Sequence, residues 1–240
     1  MKKLFHQDER GLAQAALILI IVAVLAAVGF VGYRVLNKDK KSSPQLSSQD
    51  AKKIEAECKQ EIDDQDFCKF TSSFTAAEAY TAVMETSGAN GSSTTTLKVD
   101  GDDSQMTVTD GGNVAADYIT IGNATYIKDI TDGKWTKTTS QENETANLKE
   151  DIGIDFDESD VPEAERTEYK NLGKEACGNL TCFKYQVIDP TAEAGEEQFI
   201  WFDDDDYLLR KWTFSGGEGT TTMTLSYDGV SIKEPSPIKE

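Results

Sequence analysis

With 240 residues, 38% of them hydrophobic and 28% charged, the chain has the composition of a folded protein with room for one ordinary domain plus extras. Its net charge of −19 is unevenly spread: residues 1–41 hold seven Lys or Arg against three acids, so the rest of the chain carries −23. A domain this acidic is repelled by nucleic acid and by anionic lipid, which both require Lys and Arg on the protein side.

Residues 1–10 are polar and hold the only histidine, His6. From Gly11 to Tyr33 the sequence GLAQAALILIIVAVLAAVGFVGY has no charge, and Gln14 is its one strongly polar side chain. As a helix at about 1.5 Å per residue it is roughly 34 Å long, enough to cross a hydrocarbon core of about 30 Å. A cleavable secretory signal has a shorter apolar region, about 7 to 15 residues. This run is longer and ends in Tyr33-Arg34, so an uncleaved transmembrane helix over residues 11–36 is expected, with residues 37–50 as a polar linker. Arg10-Gly11 ahead of an apolar helix also resembles a prepilin processing site, although the fifth residue after it is Ala16 where type IV pilins carry Glu. That resemblance opens a second reading, a pilin-like or envelope-associated structural or adhesive protein with a filled core and no ligand.

The four cysteines form two local pairs, Cys58 with Cys68 and Cys177 with Cys182. Neither pair is a CxxC and no histidine accompanies them, so disulfides are expected rather than a zinc site. Disulfides need an oxidising compartment. Residues 51–240 are therefore expected outside the cell membrane, on a single-pass anchor whose residues 1–10 are cytoplasmic.

Residues 51–85 read as two short helices. Ile54, Cys58 and Ile62 recur at four-residue spacing, and FTAAEAYTAVMET places Phe74, Tyr80 and Met84 near one stripe, with Thr75 and Glu78 suited to a capping box. Beyond Gly88 come segments rich in Thr, Val, Ile and aromatics, separated by turns such as GDD, DGGN and TDG. Residues 140–165 are acidic and read as a long loop, after which strands resume to the end. The fold class expected is α+β, mainly β: about ten strands in a curled antiparallel sheet packed on short helices, with no βαβ units.

The order of certain short motifs carries a family resemblance. Leu172-Gly173-Lys174-Glu175, then Gly178, Cys182 and Tyr185, are followed by Ile200-Trp201-Phe202-Asp203, Leu209-Arg210-Lys211, and finally Val230, Ile232 and Pro235. Residues 70–235 in this order resemble the LolA, LppX and LprG superfamily of lipoprotein carriers. The resemblance implies an unclosed β half-barrel around helices, with an apolar cavity that receives acyl chains. The chain departs from that family in its N-terminal span and in having no lipobox cysteine beside it. Its implied ligand contacts are Phe74, Tyr80 and Met84 on the helix, and Trp135, Tyr185, Trp201 and Trp212 on facing strands. Aromatic residues at such positions serve equally to fill a small β core.

No residue set reads as a catalytic site, because beyond His6 there is no histidine to act as a general base. Residues 99–110 lack the mid-loop glycine and closing Glu of an EF-hand. Asp203 to Asp206 read as the turn of a hairpin. No metal, no cofactor and no nucleic-acid partner are expected. The partners expected are a lipid or other apolar small molecule and, through residues 11–36, the membrane; nothing in the sequence names a protein partner.

Overall fold

A computed structural model describes residues 48–89, 91–139, 166–192, 194–217 and 219–239. The expected span over 11–36, the processing site at Gly11, most of the linker and the acidic loop 140–165 lie outside the described residues. Two helices come first: α1 is Ser48–Glu61 and α2 is Gln65–Ala76. Asp64 starts α2 by accepting the backbone N–H groups of Asp66 and Phe67, each at 3.0 Å, which satisfies two donors that the first helical turn leaves unpaired. The Cys58–Cys68 disulfide ties α1 to α2, with Cα atoms 5.5 Å apart, and Cys177–Cys182 closes a second, five-residue separation at 5.9 Å.

Eleven strands follow: β1 Ala79–Gly88, β2 Gly91–Asp100, β3 Asp103–Asp110, β4 Asn113–Ile121, β5 Ala124–Lys128, β6 Trp135–Thr139, β7 Glu168–Cys177, β8 Leu180–Ile188, β9 Glu197–Asp203, β10 Leu209–Gly216 and β11 Gly219–Ser226. They form one curled sheet, wholly antiparallel, in the order β6-β5-β4-β3-β2-β1-β11-β10-β9-β8-β7. Each meander is built of neighbours in sequence, and the single non-sequential pairing, β1 with β11, joins the two. The wing from β2 to β6 therefore extends to one side of that seam, and the wing from β10 back to β7 extends to the other.

The mainly β, antiparallel expectation holds, but the second expected helix does not. Residues 74–84 were to continue as a helix. Instead α2 ends with Ala77 donating its N–H to the Phe74 carbonyl at 3.2 Å, and residues 79–88 are the central strand β1. The Thr75 and Glu78 pair is thus at a helix end, and the true N-cap is Asp64. The stretch satisfies both periods: Tyr80, Ala82 and Met84 also alternate with Thr81 and Val83. Pairing on both edges, with β2 and with β11, decides for the strand.

Tight turns set the register. Gly111 and Gly112, at φ of 54° and 83°, make the two-residue connection from β3 to β4 that needs left-handed backbone at both positions. At the seam Gly219 faces Gly88, and a Cβ on Gly219 would stand 2.1 Å from the Ser87 carbonyl oxygen. The aspartate run is the β9–β10 turn as expected. Three of its four carboxylates are taken up within the protein: Asp203 and Asp206 pair with Arg210, Asp204 with Lys174 at 2.8 Å, and Asp206 also accepts the Leu208 N–H at 2.9 Å.

Two consequences are measurable. Thiol labelling of the unreduced, denatured protein is expected to find no reactive cysteine, and four labelled thiols would overturn both bridges. Replacing Cys58 and Cys68 together by Ser is expected to lower unfolding free energy by about 2–3 kcal/mol in denaturant titration, the entropy of a loop this short.

Candidate functional site

In an antiparallel sheet, directly opposed residues share a face, and alternate residues along a strand switch face. α2 lies on the face that carries Tyr185, Ile200 and Phe202, here called inner: its Phe67 ring is 5.2 Å from Tyr185, and its Phe70 ring stacks on Phe202 at 4.6 Å. With Tyr169, Phe183 and Phe74 these rings make a closed aromatic core between α2 and β7–β9. Phe67, Phe70, Phe202 and Tyr185 are fully buried. Each such side chain contributes about 1.5–3 kcal/mol through burial.

One polar group is built into this core. Tyr185 donates its hydroxyl to Asp64 Oδ2 at 2.6 Å and accepts from Asn171 Nδ2 at 2.7 Å, so the N-cap of α2 is locked to β7 and β8. Burial pushes the Asp64 carboxyl up. The hydrogen bonds from Tyr185, the Phe67 N–H, Asn171 and the Asp66 N–H outweigh that, and hold it below its ordinary value. Burial, followed by the bond to Asp64, pushes the Tyr185 phenol well above its usual range.

The expected contact residues divide between the two faces. Tyr80 and Met84 point inward from β1. Met84 belongs to an inner row that runs Met84–Met223–Trp212–Ile200–Tyr185 across β1, β11, β10, β9 and β8. Phe74 sits at the end of α2 and is buried on Phe70. Two others are on the opposite, outer face. Trp201 alternates with Ile200 and Phe202, and packs outside between Lys184 and Lys211, its indole N–H donating to Glu175 at 2.6 Å. Trp135 also lies outside, in a cluster with Ile119 and Tyr126 under Ile232 of the C-terminal segment. That segment is tied down by Trp135 N–H to the Pro237 carbonyl at 2.9 Å, Lys239 N–H to the Trp135 carbonyl at 2.7 Å, and Tyr126 Oη–H to Glu234 at 2.6 Å. Facing strands were expected to bring Trp135 and Trp201 to one surface with Tyr185; the phase of the pleat separates them.

Sequence reading missed a different surface. On the β1–β5 side, an inner row runs Leu225–Ala82–Leu97–Met106–Tyr118–Ile127, crossing six strands, from β11 to β5. At about 4.8 Å between strands this is a strip roughly 24 Å long. It is buried at Leu225, Ala82 and Leu97, half-buried at Met106, and opens at Tyr118 and Ile127, which are 36% and 42% exposed. The parallel row on one side is Met84–Thr95–Val108–Ala116. On the other side it is Tyr80–Val99–Ser104–Thr120–Thr125–Thr138. None of these three rows contains a charged side chain. The outer face of the same strands carries Glu85, Lys98, Asp117, Lys128 and Lys137. Among the described residues no cluster of His, Cys, Asp or Glu is arranged to hold a metal ion.

The chain matches no family model and no curated protein. Among solved structures it is similar to the lipoprotein LppX of Mycobacterium tuberculosis, at 13% identity and a TM-score of 0.42 over 76% of this chain and 99% of that one. It is similar to LprF of Mycobacterium bovis at 14% identity and a TM-score of 0.46, over 79% and 99%. It is also similar to MucB in the Pseudomonas aeruginosa MucA/MucB complex, at 12% identity and a TM-score of 0.41, over 68% of this chain and 58% of that one. At such values the likeness carries no argument, and function has to be read from this chain's own surfaces.

The Asp64 linkage makes stability pH-dependent. Its folded pKa is depressed, so its contribution is fully present above the ordinary value of 3.8 and is lost as pH falls from there through the folded value. Asp64→Asn is expected to flatten the fall in melting temperature between about pH 5 and pH 2 relative to the parent. An unchanged acid limb would show that the carboxylate is not stabilised by Tyr185.

Proposed function

We propose that this protein is a binding protein for an acyl chain, lipid or other apolar ligand, and that the ligand lies along the inner face of β1–β5. One observation carries the reading. In a chain of net charge −19, three adjacent rows of that face are uncharged, and the middle one is apolar across six strands. Its open end, at Tyr118 and Ile127, leaves apolar surface in water, which is unfavourable by about 25 cal/mol per Å² and marks an interaction site. The contacts are packing contacts; no histidine stands beyond His6 to act as a general base, and no catalytic step is assigned. The membrane enters through residues 11–36: an anchor of that length, with two disulfides in the domain beyond it, supports a domain held outside the cell membrane. The domain would then present or receive its ligand at one membrane rather than shuttle between two.

The rival reading, a structural surface protein with a filled core, is favoured by one wing only. Between α2 and β7–β9 the rings leave no room, since Phe70 and Phe202 are both fully buried at a stacking distance of 4.6 Å. Tyr185 and Phe74 belong to that filling, and the ligand surface is therefore assigned to the other wing.

Native mass spectrometry of the gently purified full chain is expected to show a co-purifying apolar molecule. In nanodiscs, Tyr118→Asp or Ile127→Asp is expected to weaken binding of a pyrene-labelled hexadecyl chain by at least tenfold, about 1.4 kcal/mol. Thr224→Asp, on the exposed outer face, leaves it unchanged. Protein that carries nothing and takes up no probe returns the structural reading.

A further inference from the structure

We infer that the ligand's head is uncharged and hydrogen-bonding, such as a glycerol ester or a sugar, and that it sits toward β4–β5 with its chain running toward the β1–β11 seam. This rests on the proposed binding face. Two observations on that face supply the direction and the class.

The first is the polarity gradient of two neighbouring rows. The apolar row grows more buried toward Ala82 and Leu225 and more open toward Tyr118 and Ile127. Beside its open end the adjacent row turns from Tyr80 and Val99 to hydroxyls, at Ser104, Thr120 and Thr125. A chain laid on the strip therefore meets aliphatic side chains at one end. At the other it meets hydroxyls, which both donate and accept, one proton and two lone pairs each. Hydroxyls of that kind match ester and hydroxyl groups without a charge on either side.

The second is the want of a counter-ion. A carboxylate or phosphate placed on this face would lose part of its hydration, which is costly unless a cation replaces it. None of the three inner rows of β1–β5 offers Lys or Arg. The cations of these strands, Lys98, Lys128 and Lys137, are on the outer face, where Lys128 pairs with Asp117 at 3.6 Å and Lys137 with Glu234 at 3.3 Å. On the far wing, Lys174 is held by Asp204, and Arg210 by Asp203 and Asp206. Residues 42–240 moreover carry −23, a field that opposes any anion.

The test compares three probes with one chain length on the full protein in phosphatidylcholine nanodiscs: pyrene-labelled hexadecanoic acid, its glycerol monoester, and the pyrene-labelled hydrocarbon without a head. Energy transfer from tryptophan reports binding, empty nanodiscs correct for partition, and the pH is high enough to ionise the acid. The monoester is expected to bind at least tenfold tighter than the acid at an ionic strength of about 0.15 M, with a smaller gap at about 1 M, where the Debye length falls to about 3 Å. Thr120→Val with Thr125→Val, a change that keeps shape and strand propensity, is expected to abolish the advantage of the monoester over the hydrocarbon while hydrocarbon binding persists. An acid that binds as tightly as the monoester overturns the inference and leaves the binding face standing. So does a double variant that still prefers the monoester. Failure of all three probes overturns the binding face itself.

Discussion

The pairing of β1 with β11, in register from Thr81–Ser226 to Gly88–Gly219, holds two separate meanders as one sheet. Every other strand pairing is between sequence neighbours and could form within a hairpin. This one spans most of the domain, so it costs the most chain entropy and orders everything beside it. It also explains why residues 79–88 are a strand. A segment whose alanines favour a helix is drawn into the sheet when both of its edges gain hydrogen-bonded partners, and the close approach of Gly219 to Gly88 lets the seam shut.

Once the seam is set, the pleat distributes chemistry between the faces. Outside, several charges are paired: Asp117 with Lys128, Glu234 with Lys137, Glu175 with Lys184 and with the Trp201 indole. Inside, the two wings differ. Rings from α2 fill the β7–β9 wing, and the Asp64–Tyr185–Asn171 bonds fasten the helix start to it. The β1–β5 wing keeps an apolar strip that opens at Tyr118 and Ile127. On the proposed reading, a filled wing and an open one on the same sheet divide the work: one supplies rigidity, the other a surface pre-formed for a ligand, so that binding would not have to meet the cost of ordering the fold.

Several features were legible before any coordinates. The two cysteine pairs, the turn at Asp203 to Asp206 and the meandering antiparallel strands all follow from local spacing and composition. Trp201 and Trp135 show where such reading ends. Both are large, aromatic and set in strands that look half-buried, and so resemble ligand contacts, yet each is covered by something remote in sequence: lysines of neighbouring strands over Trp201, and residues 232–239 around Trp135. Conversely Met106, Tyr118 and Ile127 are each one of several apolar residues in their strands, and nothing local marks the three as sharing a face. Their alignment depends on two-residue turns that fix three hairpins in one phase. The turn glycines Gly111 and Gly112 were the available signal for that phase.

What the sequence by itself determined is therefore the chemistry and the local grammar: an acidic domain, strands joined by short turns, disulfide-paired cysteines, and an apolar run of membrane-spanning length. Only the tertiary structure decided which residues share a face. A strand shows alternation but not which side will be covered, and that choice is made where β1 meets β11 and where α2 lands on β7–β9. Periodicity is a property of one segment, whereas burial is a relation between segments far apart in the chain.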